Sequence, residues 1–285
     1  MDATLSTDLL LEQKRKREKA YKTSIKVFVF FILFLMYAPI LYLVVFSFTT
    51  SKIVGVMTDF SIAPYWTLFY TKNIYARKIW KATLNTVLVA GVSGLLATVL
   101  GTAGAIGLRY TKVKWIKRVM DFITEIPVVN AEIVMAISLC ILFVSMKWER
   151  SFLTLVIGHM VLAIPFVVLS VEPKLKQMDN SLFEAALDLG ANQPQAIFKV
   201  MIPDILPGII SGFLLSVTLS LDDYIITAFT KPSTGGFETI STYVEAATKK
   251  SGLPIQLRAF TTILFIIIMA SMLLINAKMK KREAK

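Results

Sequence analysis

The sequence predicts an all-α membrane protein, a bundle of six transmembrane helices with a helical hairpin in the cytoplasm. Three observations carry that prediction. Of 285 residues, 55% are hydrophobic and 18% charged, a balance outside ordinary globular usage. Several stretches run about 20 residues almost without charge, enough to cross a hydrocarbon core of roughly 30 Å at about 1.5 Å per helical residue. The Lys and Arg residues behind the net charge of +12 gather at the ends of those stretches. That is how topology signals are placed, and it leaves no continuous stripe for nucleic acid.

Residues 1–26 are a basic leader carrying Lys14, Arg15, Lys16, Arg17, Lys19, Lys22 and Lys26. With almost no apolar period, the leader is expected to be a solvated or membrane-surface tail. The transmembrane domain covers 27–277. Its first span is 27–48, and no cleavable signal pattern precedes it, so it is expected to stay in the membrane. A polar segment with Pro64, Tyr65, Trp66, Tyr75 and Trp80 then suits a helix at the membrane interface. Span two, 84–108, carries Gly94, Ala97, Gly101, Gly104 and Ala105. The Ala97, Gly101, Ala105 spacing lets another helix approach closely, so this span is expected inside the bundle.

A basic loop at 109–118 leads to span three, about 119–146, with a kink expected around Pro127 and Asn130. Cys140, the only cysteine, lies in this apolar stretch. It excludes a disulfide or thiolate metal site within the chain and reads as inert packing. Span four is about 152–171 with Pro165 inside it, and a polar segment extends from there to Pro207. Span five is 208–229. A loop with Gly235 and Gly236 precedes span six, about 258–277, and residues 278–285 form a basic tail. Placing the amino terminus in the cytoplasm puts roughly 20 basic residues on that side and about 11 on the other, which favours both termini inside.

The segment between spans four and five reads as a helical hairpin at about 181–203. Ser181-Leu182-Phe183-Glu184 has the capping-box pattern that starts a helix. Gly190 can take the left-handed conformation that ends one. A second helix is expected from Pro194 to Val200, stopping before Pro203. A DNA-reading helix-turn-helix is disfavoured, because Glu184 and Asp188 oppose phosphate and only Lys174, Lys176 and Lys199 could offset them. The chain has no Gly-Lys dipeptide, so it holds no phosphate loop and cannot hydrolyse ATP by that route.

Carboxylates inside a bilayer are costly and usually face a cavity. Glu132, Asp222 and Asp223 are the candidates. Asp222 falls roughly 21 Å into span five and Glu132 roughly 20 Å into span three, so they share a level. Acidic groups at one depth favour cations over anions. Adjacent Asp222 and Asp223 point about 100° apart, so one of them is expected to bond a neighbouring helix instead of facing the path. Glu125 would extend the path inward, and Asp121 reads as interfacial. His159, the only histidine, reads as a bundle-packing or path-lining group; no second His or Cys completes a zinc site. Ser211, Ser216 and Ser220 show no nucleophile-base arrangement, which argues against an intramembrane enzyme. A secondary transporter would use intramembrane carboxylates too, but with more spans and inverted repeats.

On these residues the chain resembles the membrane subunits of ABC importers, the MetI-like permeases. Their signature is E-A-A, three residues, Gly, nine residues, I-x-L-P. Here it reads Glu184-Ala185-Ala186, Gly190, then Val200-Met201-Ile202-Pro203, with Val200 and Ile202 keeping apolar branched side chains. Within that family, the run from Glu132 to Leu139 and the run from Thr218 to Asp223 are similar to spermidine/putrescine permeases. Ala131-Glu132 stands where those have Pro-Asp, and the long leader before Ser24 is unlike theirs.

The resemblance implies a four-part importer of a bacterial cytoplasmic membrane. Its parts are this chain, a second homologous permease, an ABC ATPase dimer that binds ATP and Mg, and an extracytoplasmic polyamine-binding protein. No cofactor is implied in this chain and no nucleic acid partner. Glu184, Ala185, Ala186, Gly190 and Pro203 would couple to the ATPase. Glu132, Asp222 and Asp223 would line the path, with Tyr224 as an aromatic wall or a packing residue, since carboxylates and aromatic faces both attract protonated amines. An importer for another cationic solute is the alternative within the family.

Overall fold

The computed structural model describes residues 2–51, 53, 55–70, 72–111, 113–129 and 131–283, and every regular element among them is helical. In chain order these are α1 (Asp2–Val45), α2 (Ala63–Phe69), α3 (Ile74–Tyr110), α4 (Lys114–Val129), α5 (Glu132–Ser145) and α6 (Phe152–Gln177). There follow α7 (Asn180–Asp188), α8 (Gln193–Ala196), α9 (Ile202–Asp222), α10 (Ile225–Thr230), α11 (Ile240–Ser251) and α12 (Ile255–Glu283). They form two compact units, one of Met1–Ala76 with Ser251–Lys285 and one of Arg77–Lys250.

In the first unit the basic leader is helical and runs without interruption into the first span, making α1 one helix of 44 residues. The apolar side chains from Val27 to Tyr37 are exposed, as on a helix whose solvent is lipid. A tight turn at Phe46–Phe48 follows. Arg258, buried at the start of α12, secures it: its guanidinium donates to Leu253 O at 3.0 and 3.1 Å and to Phe46 O at 3.5 Å. The loop beyond is folded. Ser47 bonds the Tyr65 hydroxyl at 2.6 Å, Phe48 stacks on Phe60, and Trp66 on α2 stays exposed, as the interfacial reading expects. Asp59 accepts from the Thr50 hydroxyl and amide and from Thr49, and these bonds hold its carboxyl down to about 2.

The core of the second unit is where α3, α6 and α9 meet. Ala97 and Ala105 of α3 are buried with Val167, Val171 and Ile205, and a Cβ on Gly101 would lie 2.8 Å from Val167. The expected small-residue stripe is therefore the contact; Gly104 stands outside it, facing open space. On α9, Gly208 and Gly212 let α6 approach at Ser170 and Val167.

Three expectations need correction. Span three is not one continuous helix: α4 ends at Val129 and α5 begins at Glu132, and the 14 residues of α5 cover about 21 Å. Among the described residues five helical stretches are long and apolar enough to cross a bilayer, and α5 is a shorter apolar helix. The side chains of Asp121, Glu125 and Pro127, and all of Asn130, lie outside the described residues.

Second, the hairpin's second helix does not stop before Pro203. Helix continues from Gln193 to Asp222 through a wide turn at Ile197–Met201, where the Ile202 N–H reaches back to Ile197 O. That five-residue turn admits a proline, which has no N–H to give. Third, span five ends at Asp222 instead of 229, and α10 starts afresh after a break at Asp223 and Tyr224.

Candidate functional site

Two places gather the residues singled out by sequence. At the hairpin, the cap of α7 is Asp179 and not Ser181. The chain leaves α6 extended at Met178, and the Asp179 carboxylate accepts from the Ser181 N–H at 2.9 Å. That bond holds the Asp179 carboxyl below its ordinary range. Gly190 ends the helix as expected, at φ +89°, with Ala191 N–H to Ala186 O at 3.1 Å and Gly190 N–H to Leu187 O at 2.9 Å. Asn192 and Gln195 cap α8 reciprocally at 2.9 and 3.1 Å.

The hairpin stands on the core through Ala196 and Met201, both fully buried, and through Phe183, whose ring lies 5.5 Å from that of Tyr110. Glu184, Ala185, Gly190 and Pro203 are exposed and Ala186 is half-buried. Glu184 borders a cavity of about 390 Å³ with Arg109, Lys117, Glu172 and Lys176 at its rim. Leu182, Phe198 and above all Leu189, 89% exposed, face outward.

At the break between α9 and α10 the two adjacent aspartates part. Asp222, on the last turn of α9, is exposed. Asp223 is buried and caps α10: its carboxylate accepts from the amides of Ile226 and Thr227 at 3.0 and 2.8 Å and from the Thr227 hydroxyl at 2.9 Å. With its proton spent on Asp223, Thr227 Oγ1 accepts from His159 Nε2 at 2.9 Å, so Nδ1 is the acceptor for the Ser220 hydroxyl at 2.7 Å. A directed chain thus runs from Ser220 through His159 and Thr227 to Asp223, tying α6 to both sides of the break. Ser93 of α3 touches Ser220 at 3.3 Å, and Thr154 of α6 donates to Thr230 O at 3.0 Å.

His159 joins helices, one of the two roles its sequence left open. Its partners Ser220 and Thr227, with Ser93 behind Ser220, were missed as a group, although polar residues on otherwise apolar spans were the available signal. Glu132 is exposed on the first turn of α5, which packs through Ala136 against Ile226 of α10. Tyr224 is exposed within the break. Among the described residues no cluster of His, Cys, Asp and Glu is placed to hold a metal ion.

Membrane-length helices packed through small residues, a spanning helix broken at a polar knot, and a helical hairpin at that helix's other end define an integral membrane permease. The chain belongs to the family described as the binding-protein-dependent transport system inner membrane component, whose model matches residues 97–282. It is 33% identical to the putrescine transport system permease protein PotI of Escherichia coli K12 over 201 residues, 68% of this chain and 69% of that one. To the spermidine/putrescine transport system permease protein PotC of the same organism it is 30% identical over 250 residues, 86% of this chain and 91% of the other. In fold it is similar to a chain in the crystal structure of a bacterial ABC transporter that imports the acidic polysaccharide alginate. That match has a TM-score of 0.65 at 16% identity and covers 91% of this chain and 96% of that one. The protein is a multi-pass permease subunit of an inner membrane transport system with the ABC-importer fold.

Proposed function

We propose that this chain is the translocating subunit of an ATP-driven polyamine importer, for spermidine or putrescine, with both termini in the cytoplasm. The α7–α8 hairpin carries the reading. Its Glu184-Ala185-Ala186 and Gly190 turn is anchored on the core yet presents Leu182, Ala185 and Leu189 outward, a small apolar knob with Leu189 89% exposed. An ABC ATPase dimer takes that knob, binds ATP and Mg and performs the hydrolysis. A second homologous permease completes the path, and an extracytoplasmic binding protein delivers the substrate. No cofactor and no nucleic acid enters through this chain.

The continuous helix from Gln193 to Asp222 makes the coupling mechanical. Its 30 residues span about 45 Å, so a push on the hairpin at Ala196 is delivered at the break beside Asp222. There the exposed carboxylate of Asp222 and the ring of Tyr224 suit protonated amines, with Glu132 exposed on the first turn of α5, which packs against α10, while Asp223 and His159 hold the break in shape. The relatives named for putrescine and spermidine support the same substrate class.

Reconstituted with its three partners in vesicles, the chain is expected to accumulate labelled putrescine or spermidine only when ATP is supplied, and Asp222→Asn to lower uptake more than membrane abundance. Transport by the purified chain alone, without nucleotide, would sink the proposal.

A further inference from the structure

The break that carries Asp222 and Tyr224 also anchors α11. The Ser241 hydroxyl donates to the Asp223 carbonyl at 2.8 Å, which sets the first turn of α11 on the break. One turn further on stands Glu245. Its carboxylate pairs with Lys249, four residues along the same helix, with Tyr224 close enough to act on it and Lys231 adding positive charge at longer range. Lys249, chiefly by its hydrogen bond, holds the Glu245 carboxyl below its ordinary range, and Glu245 holds the ammonium above its own. Both are ionised at neutral pH. The carboxylate is 32% exposed and the lysine 77%, so the lysine can swing away into solvent.

Chemically, a lysine side chain is a four-methylene chain ending in an ammonium, the same group that ends an aliphatic diamine. Exposed pairs of this spacing on a helix are weak, so an arriving ammonium can replace the resident one at little cost. Such an exchange swaps one ammonium for another at the same carboxylate.

We propose that Glu245 is a specificity-determining residue of the substrate path, that it takes the ammonium end of a diamine or polyamine against Tyr224, and that Lys249 is the internal stand-in which the substrate displaces. The inference rests on the polyamine reading of the path and adds a residue from a different helix to it. It predicts opposite signs for the two members of one ion pair, which a merely structural pair would not give.

The complete importer in proteoliposomes, assayed for ATP-driven uptake of radiolabelled putrescine over a concentration series with constant binding protein, tests it. Glu245→Gln is expected to raise the half-saturating concentration about tenfold, the worth of one charge-assisted bond, and Glu245→Asp to recover part of that loss. Lys249→Gln is expected to lower the half-saturating concentration about threefold by removing the competitor. Uptake by Glu245→Gln and Lys249→Gln indistinguishable from wild type overturns this proposal alone, as does a rise in both. Absence of putrescine and spermidine uptake by the wild-type complex overturns the substrate reading and this proposal with it.

Discussion

The α9–α10 break and the α7–α8 hairpin both interrupt the run of membrane helices, and they treat side chains in opposite ways. At the break the polar groups are inside: Asp223 and His159, each 1% exposed at the side chain, are linked through Thr227, and Asp223 takes the first amides of α10. At the hairpin the apolar groups are outside, with Leu189 89% exposed at the turn. In lipid an unpaired polar group is expensive, so the break must close its own hydrogen bonds. In water an exposed leucine is tolerated and is useful when another protein covers it. The comparison separates a region that closes its own polar groups from a region that leaves apolar surface uncovered.

The largest expected effect lies at the break. Asp223→Ala removes the acceptor from two amides, one hydroxyl and the imidazole chain, and is expected to cost about 3 kcal/mol or more. It would appear as a lowered thermal midpoint in detergent, with Asp223→Asn, which keeps one acceptor oxygen, losing less. An unchanged midpoint for both would erase the distinction drawn here.

At the hairpin, Gly190→Asp forces a side chain onto φ +89°. It is expected to cost about 1–2 kcal/mol, confined to the turn. The protein should still insert, while ATPase co-purification and substrate-stimulated hydrolysis fall; normal association and turnover would place the coupling element elsewhere. Leu189→Ser is expected to shift stability by no more than about 0.5 kcal/mol, since the side chain touches little. It should still weaken ATPase association, measured on the same co-purification.

The smallest effect is a pH dependence at Asp179. Its folded carboxyl lies below the ordinary value, so the cap contributes above the unfolded pKa of about 3.9 and is lost as pH falls through the lower folded value. Protection of the Ser181 amide hydrogen, measured against its intrinsic exchange rate at each pH, should fall at acid pH in the wild type and be absent at neutral pH in Asp179→Ala. Slow exchange in Asp179→Ala at neutral pH would remove the cap assignment.

Legibility followed range. Gly190 and the stripe of Ala97, Gly101 and Ala105 could be read because each obeys a rule acting within one or two helical turns of its own chain. Asp179 was overlooked in favour of Ser181 because the direction in which the chain leaves α6 chose the first helical residue. Passage through Pro203 was missed because a proline reads as a stop, and the wide turn that admits it leaves no mark in composition. The split of span three into α4 and α5 was seen only as a kink.

By itself the sequence determined that lipid is the solvent, where most long helices run and that a hairpin of family signature joins two of them. Those properties follow from hydropathy, charge placement and local capping, each set by neighbours in the chain. Only the tertiary structure decided that Asp222 stays exposed while Asp223 is consumed within the fold, and that His159 clasps both sides of a helix break. Burial of a polar group depends on which distant segment arrives to pair with it, as Ser93 does with Ser220 from 127 residues away. No local rule carries that information.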